Sequence, residues 1–420
     1  MRNLAANILV YVGVGLAMAS GAPAQVGVSE NPQTIHLTPF QGPNISRLIG
    51  YGNCQWLYPR EEPDEKLASE PDYQSERRVY YAARYGDAQD NIFTLVLDES
   101  RGTGTGFNAV YADLNNDNRI TPENERFGFQ LGTTRGAEPV RITLSVSAGG
   151  RTIPYAFNFT AFPYKDTDNP VEKIHANCRD STIMMGEAVF GDKRCKIALA
   201  DLNSNGLFND CEQGLFRGDR FFVDLNGNDS FSEDSGPAES FSYSQYTEIA
   251  GAWYTVEASP DGGTVQIEPA QPTFGTVKAP ANVKSVGLSS PKQFQRLEFK
   301  DGRAKALAGA YRASDVALEI VDSDGIRWAT RGRYGQAGPQ IEIETDQEAT
   351  LASELSLTIR VDVRQTSEPG VIELEPRIVD AFGGSFSTLR RNNNRHEPPA
   401  KLRIKDADGR QIAEANLEYG

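Results

Sequence analysis

Alternation of apolar and polar residues with a period of two is the feature that most limits what this chain can fold into. It is strict in 140–146, where Val, Ile, Leu and Val are separated by Arg141, Thr143 and Ser145, and again in 355–363. A third run, 91–97, is short, apolar and β-rich. Successive side chains of a strand point to opposite faces, so such segments present one dry and one wet face. Asp-Gly pairs at 261–262, 301–302, 324–325 and 408–409 supply hairpin turns beside runs of this kind. Helical periodicity with caps is scarce. The expected fold class is mainly β, built as several antiparallel β-sandwich-like modules in series. The 39 Gly and 23 Pro among 420 residues fit a turn-rich chain, and 39% hydrophobic residues are enough to build cores.

The first residues direct the chain out of the cytoplasm. Arg2 and Asn3 precede an apolar stretch from Leu4 to Met18, followed by Ala22-Pro23-Ala24. A charged start, a short apolar core and a small-x-small site read as a signal peptide, residues 1–24, cut before Gln25. No later segment approaches the roughly 20 apolar residues of a membrane span, so none is expected after cleavage. The mature protein is expected to be secreted, to the periplasm, the cell surface or the medium. Its charge moves from −15 to −16 as Arg2 is lost, which disfavours nucleic acid as a partner and leaves an extracellular protein or polysaccharide as the expected ligand class.

Three times a short apolar run leads into Asp-Leu-Asn with a further oxygen-bearing residue two places on: Asp113, Asn115 and Asp117; Asp201, Asn203 and Asn205; Asp224, Asn226 and Asn228. Oxygen side chains at alternate positions of a tight loop can converge on a hard cation such as Ca²⁺. Counting the first Asp as position 1 of twelve, the middle loop adds Gly206 at the turn, the carbonyl of Leu207 at 7, Phe208 at 8, Asn209 at 9 and Glu212 at 12. The first loop offers the carbonyl of Arg119 at 7 and Ile120 at 8. It has Asn118 at the turn and Asn124 at 12, flanked by Glu123 and Glu125. The third offers Ser230 at 7 and Phe231 at 8, with Glu233 and Asp234 ahead of Ser235 at 12. Two Asn in place of Asp lower the charge of the middle site, so an affinity of about 10⁻⁴ to 10⁻³ M is expected, as in other extracellular modules.

In their spacing and in the apolar residue at position 8, these loops resemble the calcium loops of EF-hand and dockerin proteins. The resemblance covers about a dozen residues per loop and implies Ca²⁺ as the bound ion. Each loop is entered from an expected strand, 109–112, 197–200 and 221–223. That setting is more similar to the calcium loops of integrin-type propeller blades or thrombospondin repeats than to the helix-flanked loops of a dockerin. Asp210 and Asp219 are further carboxylates available to complete the middle or third site.

Organisation along the chain follows from these landmarks. An N-terminal β domain, 25–165, carries the first loop, and a middle domain, 166–272, carries the other two. Two β-modules, 273–340 and 341–420, are read from an internal repeat. Leu318, Ile320, Asp322, Asp324-Gly325 and Ala329 recur as Leu402, Ile404, Asp406, Asp408-Gly409 and Ala413 at an offset of 84. Cys54, Cys178, Cys195 and Cys211 form no C-x-x-C pair; in an oxidising compartment they allow two disulfides in three connectivities, or a free Cys54.

An enzyme is the competing class. Three scattered histidines, His36, His175 and His396, form no H-E-x-x-H, and no G-x-S-x-G is present. A hydrolase built on paired carboxylates, acting on polysaccharide, is the alternative reading. Tyr243, Tyr246, Trp253 and Tyr254 form an aromatic cluster suited either to stacking on a sugar or to packing in a core.

Overall fold

The computed structural model describes residues 31–42, 45–49, 54–63, 67–102, 106–131, 138–164, 173–213, 217–231, 239–321, 324–335, 338–352, 355–365, 372–386, 390–391, 395–396, 401–405 and 408–416. The expected signal peptide, residues 1–24, and the segments between these ranges lie outside the described residues. The protein is almost entirely β, arranged as several sheets, and among the described residues all strand pairs but one are antiparallel. Only two helices are present among the described residues, each of four residues, Ile45–Leu48 and Pro122–Glu125.

Four sheets build the first two thirds. One orders Gln33–His36, Thr264–Pro269, Ala252–Ala258 and Tyr246–Ile249; a second orders Cys54–Leu57, Lys173–Asp180, Arg151–Tyr164 and Val140–Ala148. A third runs Ser240–Ser242, Arg220–Val223, Lys193–Ala200, Thr182–Phe190 and Thr38–Gln41, and a fourth is the meander Val79–Arg84, Ile92–Asp98, Ala109–Ala112 and Arg126–Gly128. Alternation produces their inward faces directly. In Val140–Ala148 the side chains of Ile142, Leu144 and Val146 are buried while Arg141, Thr143 and Ser145 are exposed.

One cluster of buried apolar side chains runs from Ile35 to Ile267 and is contributed by all four sheets. Residues on both sides of position 165 therefore share a core, and Arg151–Tyr164 pairs along its length with Lys173–Asp180. The chain opens by pairing with strands far ahead of it, Gln33 opposite Ile267 and Phe40 opposite Ile183.

A second core, from Val277 to Phe386, belongs to the C-terminal third. There a three-stranded sheet accompanies a larger one of ten strands, which includes the long strand Gly309–Val321 and ends on Thr358–Gln365. Both copies of the internal repeat are hairpins. Gly309–Val321 pairs with Arg327–Arg333, and Lys401–Lys405 pairs with Gln411–Asn416. Their registers differ by one, because Ala329 faces Glu319 whereas Ala413 faces Ile404. The first hairpin lies in the ten-stranded sheet and the second forms a two-stranded sheet of its own. The Asp301-Gly302 turn has φ of 52° and 72°, the left-handed pair of a type I′ turn, and closes a mutual Lys300–Arg303 hydrogen-bond pair.

All four cysteines are free thiols. Cys54 stands opposite Arg179 and Cys178 opposite Gln55, so the two occupy opposite faces of one sheet, and a bridge between them would need a register shift.

Candidate functional site

Each of the three Asp-Leu-Asn loops leaves the end of a strand, Ala109–Ala112, Lys193–Ala200 or Arg220–Val223, as the apolar runs ahead of them predict. Their backbones then follow one course. Left-handed φ occurs at the fourth and sixth positions of every loop: Asn116 (58°) and Asn118 (62°), Ser204 (59°) and Gly206 (80°), Gly227 (77°) and Asp229 (62°). Gly, Asn and Asp tolerate this region best, and they fill five of the six places. Ile120, Phe208 and Phe231, the eighth residues, are all buried, each in a different apolar cluster.

The first aspartate organises each loop by accepting main-chain N–H bonds. Asp113 accepts from Asp117 and Asn118 at 3.2 and 2.9 Å. Asp201 accepts from Ser204, Asn205 and Gly206 at 2.7, 3.3 and 2.6 Å, and Asp224 from Gly227, Asn228 and Asp229 at 2.6, 3.1 and 3.1 Å. Further along, side-chain oxygens accept from the N–H two residues on: Asn115 from Asp117, Asp117 from Arg119, Asn205 from Leu207, Asn226 from Asn228, and Asn228 from Ser230.

A second buried carboxylate ties down the start of each loop. Glu125 Oε1 accepts from the N–H of Leu114 at 3.0 Å, and Glu239 Oε1 accepts from the N–H of Asn226 at 3.0 Å. Asp219 bridges the N–H groups of Leu202 and Asp210 at 3.3 and 2.7 Å. The pairs are thus Asp113 with Glu125, Asp201 with Asp219, and Asp224 with Glu239, and all six side chains are buried. Asp210 faces the middle loop and accepts from the amides of Asn203 and Asn205 at 2.9 and 2.6 Å. Glu212 is placed beside Arg220 and Arg296, whose charges oppose the upward push of burial on its carboxyl. Among the loop residues, Asn203 Oδ1 and Asn116 Oδ1 are buried acceptors without a hydrogen-bond donor.

The middle loop is the most deeply set. Tyr155, from the neighbouring sheet, donates its hydroxyl hydrogen to Asp201 Oδ2 at 2.8 Å. Asp180 accepts from Ser204 Oγ at 2.7 Å, and its Oδ1 is buried without a donor. Burial pushes Asp201 up to about 6 against the opposing bonds from Tyr155 and the loop N–H groups. Burial and then the charge of Asp201 hold Asp180 and Asp219 well above the ordinary carboxyl range. In the first loop Asp113 is likewise raised to about 6, by burial first and by Glu125 and Asp117 in addition.

Among the described residues no three His, Cys, Asp or Glu side chains are gathered into one ligand set. The loops offer a mixed set instead, of carboxylate, amide and main-chain carbonyl oxygens, which is the chemistry of a Ca²⁺ site. The aromatic cluster of the sequence is core: Tyr243 and Tyr254 are buried, and Trp253 packs edge-on against Phe274 at 5.5 Å. No helix among the described residues is long and apolar enough to cross a membrane. No family model matches the chain, and no curated protein or solved structure matches it either.

Proposed function

We propose that this is an exported β protein in which the three loops bind Ca²⁺ as a structural ion, and that it serves as an extracellular binding or scaffold module. One observation carries the reading: three loops that share the Asp-Leu-Asn start share a backbone course, and each has two buried carboxylates at its root. Buried carboxylates without a nearby cation repel one another and resist ionisation, and a divalent ion relieves both costs. Asp113, Asn115, Asp117 and the Arg119 carbonyl would hold the first ion, and Asp201, Asn203, Asn205 and the Leu207 carbonyl the second. Asp224, Asn226, Asn228 and the Ser230 carbonyl would hold the third. Glu125, Asp219 and Glu239 support the loops from behind. The ion binds the folded state, so at ten times its dissociation constant one site adds about 1.4 kcal/mol of stability. The competing hydrolase would draw on the same carboxylates, of which Asp201 and Asp219 already accept several bonds from loop N–H groups and, at Asp201, from Tyr155.

Calorimetric titration of Ca²⁺ into chelator-treated mature protein, with melting curves at each end, tests the proposal. Saturable heat and a raised melting temperature are the expected result, with the middle loop's share of both lost when Asn203→Ala and Asn205→Ala are combined. Absence of heat and of a thermal shift would reduce the loops to polar turns.

A further inference from the structure

The outward face of the sheet ordering Cys54–Leu57, Lys173–Asp180, Arg151–Tyr164 and Val140–Ala148 is unlike the rest of this acidic molecule. Its inward positions, including Leu57, Cys178, Phe157, Phe159 and Leu144, are buried. The opposite positions form cross-strand rows fixed by register. One row aligns Arg141, Asn158 and Arg179, the next aligns Thr160, Asn177 and Trp56, and the third pairs Phe162 with His175 and continues into Tyr58 beyond the strand end. No Asp or Glu occupies an outward position of these four strands, in a chain of net charge −15.

Large aromatic rings stand in water here. Tyr58, Trp56 and Tyr164 are 67%, 54% and 45% exposed. They are also ordered against one another: Trp56 meets Phe162 edge-on at 6.0 Å, Tyr58 meets His175 at 5.5 Å, and Tyr164 stacks on His175 at 4.5 Å. Between rings and arginines lies a neutral hydrogen-bonding pair, Thr160 Oγ1 donating to Asn177 Oδ1 at 2.8 Å. Successive rows are two residues apart, about 7 Å, so rings, amide and guanidinium groups follow one another along a strip of about 14 Å.

We propose that this face docks an acidic polysaccharide, with sugar rings stacked on Trp56 and its aromatic neighbours and carboxylate groups met by Arg141 and Arg179. A sugar ring has an apolar C–H face and a hydroxyl rim, which match an aromatic surface bordered by an amide and a hydroxyl. The arginines and the missing carboxylates select the charge, since a planar guanidinium pairs a carboxylate in bidentate fashion. An acidic glycan, rather than the similarly stacking single-stranded nucleic acid, follows from the exported location, and on that part of the proposed function the inference rests. It does not depend on calcium.

The test is binding of the mature protein to hyaluronate and polygalacturonate oligosaccharides at low salt, with Ca²⁺ and with chelator, read by calorimetry and tryptophan fluorescence. Dextran and a dT oligonucleotide serve as comparisons. Binding of at least one uronate glycan, weakened about tenfold by Trp56→Ala and by Arg179→Gln with melting unchanged, is expected. Phe40→Ala, which removes an exposed ring elsewhere, should leave it intact. Failure to bind either uronate polymer, indifference to both platform substitutions, or tighter binding of the oligonucleotide would each overturn the proposal. Calcium uptake without glycan binding would sink this inference alone, and glycan binding without calcium uptake would sink the calcium reading alone.

Discussion

A buried aspartate that accepts three main-chain N–H bonds and a tyrosine hydroxyl is the pivot of the middle loop, and its chemistry fixes two expectations. Asp201→Asn offers one accepting oxygen where two are used, so buried donors from the loop or from Tyr155 lose their partner. A loss of about 1–3 kcal/mol in chemical denaturation is expected for each orphaned group, together with loss of the middle loop's share of the Ca²⁺-dependent stabilisation. The second expectation concerns pH. Asp113 and Asp201 have folded pKa values of about 6, above the unfolded value of about 3.9. The folded state then binds the proton more tightly, so the stability these groups contribute is full below about pH 4 and is lost as pH rises through 6. Chelator-treated protein should melt at a lower temperature at pH 7 than at pH 5, and Ca²⁺ should remove most of that difference. A flat or opposite profile without the ion would contradict the burial of these carboxyls.

At the scale of elements, much was legible. The alternating run at 140–146 is the core of Val140–Ala148, 91–97 is Ile92–Asp98 within a residue, and 355–363 appears later, as Thr358–Gln365. The three loops and the strands that feed them lie where their Asp spacing and apolar lead-ins place them. Less legible were the carboxylates behind the loops, because they arrive through tertiary pairing at no fixed spacing: Glu125 follows Asp113 by 12 residues, Asp219 follows Asp201 by 18 and Glu239 follows Asp224 by 15. Glu125 and Asp219 stood out only as nearby acids, and Glu239 gave no signal. One strand invites a separate test. Thr358–Gln365 ends the ten-stranded sheet, with no second partner strand among the described residues, and its Ile359, Val361 and Val363 are exposed on one face. Such an edge is a template for pairing between molecules. Val361→Lys should lower self-association in concentrated solution, seen by light scattering, and leave the melting temperature within about 1–2 °C, as expected of a surface change.

The whole molecule has two principal cores, Ile35–Ile267 and Val277–Phe386, and all three loops root in the first part. Scanning calorimetry should therefore resolve two transitions, of which Ca²⁺ raises one and leaves the other nearly unmoved; a single transition shifted as a whole would show the cores to be thermodynamically coupled. The basic aromatic face belongs to this scale too. Trp56 joins Phe162 and His175 only because a strand more than 100 residues earlier shares their register, so no local pattern could announce the group. The aromatic cluster visible in the sequence, 243–254, packs inward instead: Tyr243 and Tyr254 enter one core, and Tyr246 and Trp253 lie against the other.

Gln33–His36 finds its partner at Thr264–Pro269, more than 220 residues later. Closing so long a loop is slow, and the pairing cannot begin until the distant strand has been made. That edge of the first core thus closes late: Gln33–His36 waits for its partner, while the meander from Val79 to Gly128 needs no distant strand. The export proposed above would be served by that delay, since this edge of the core cannot close until its distant strand has been made.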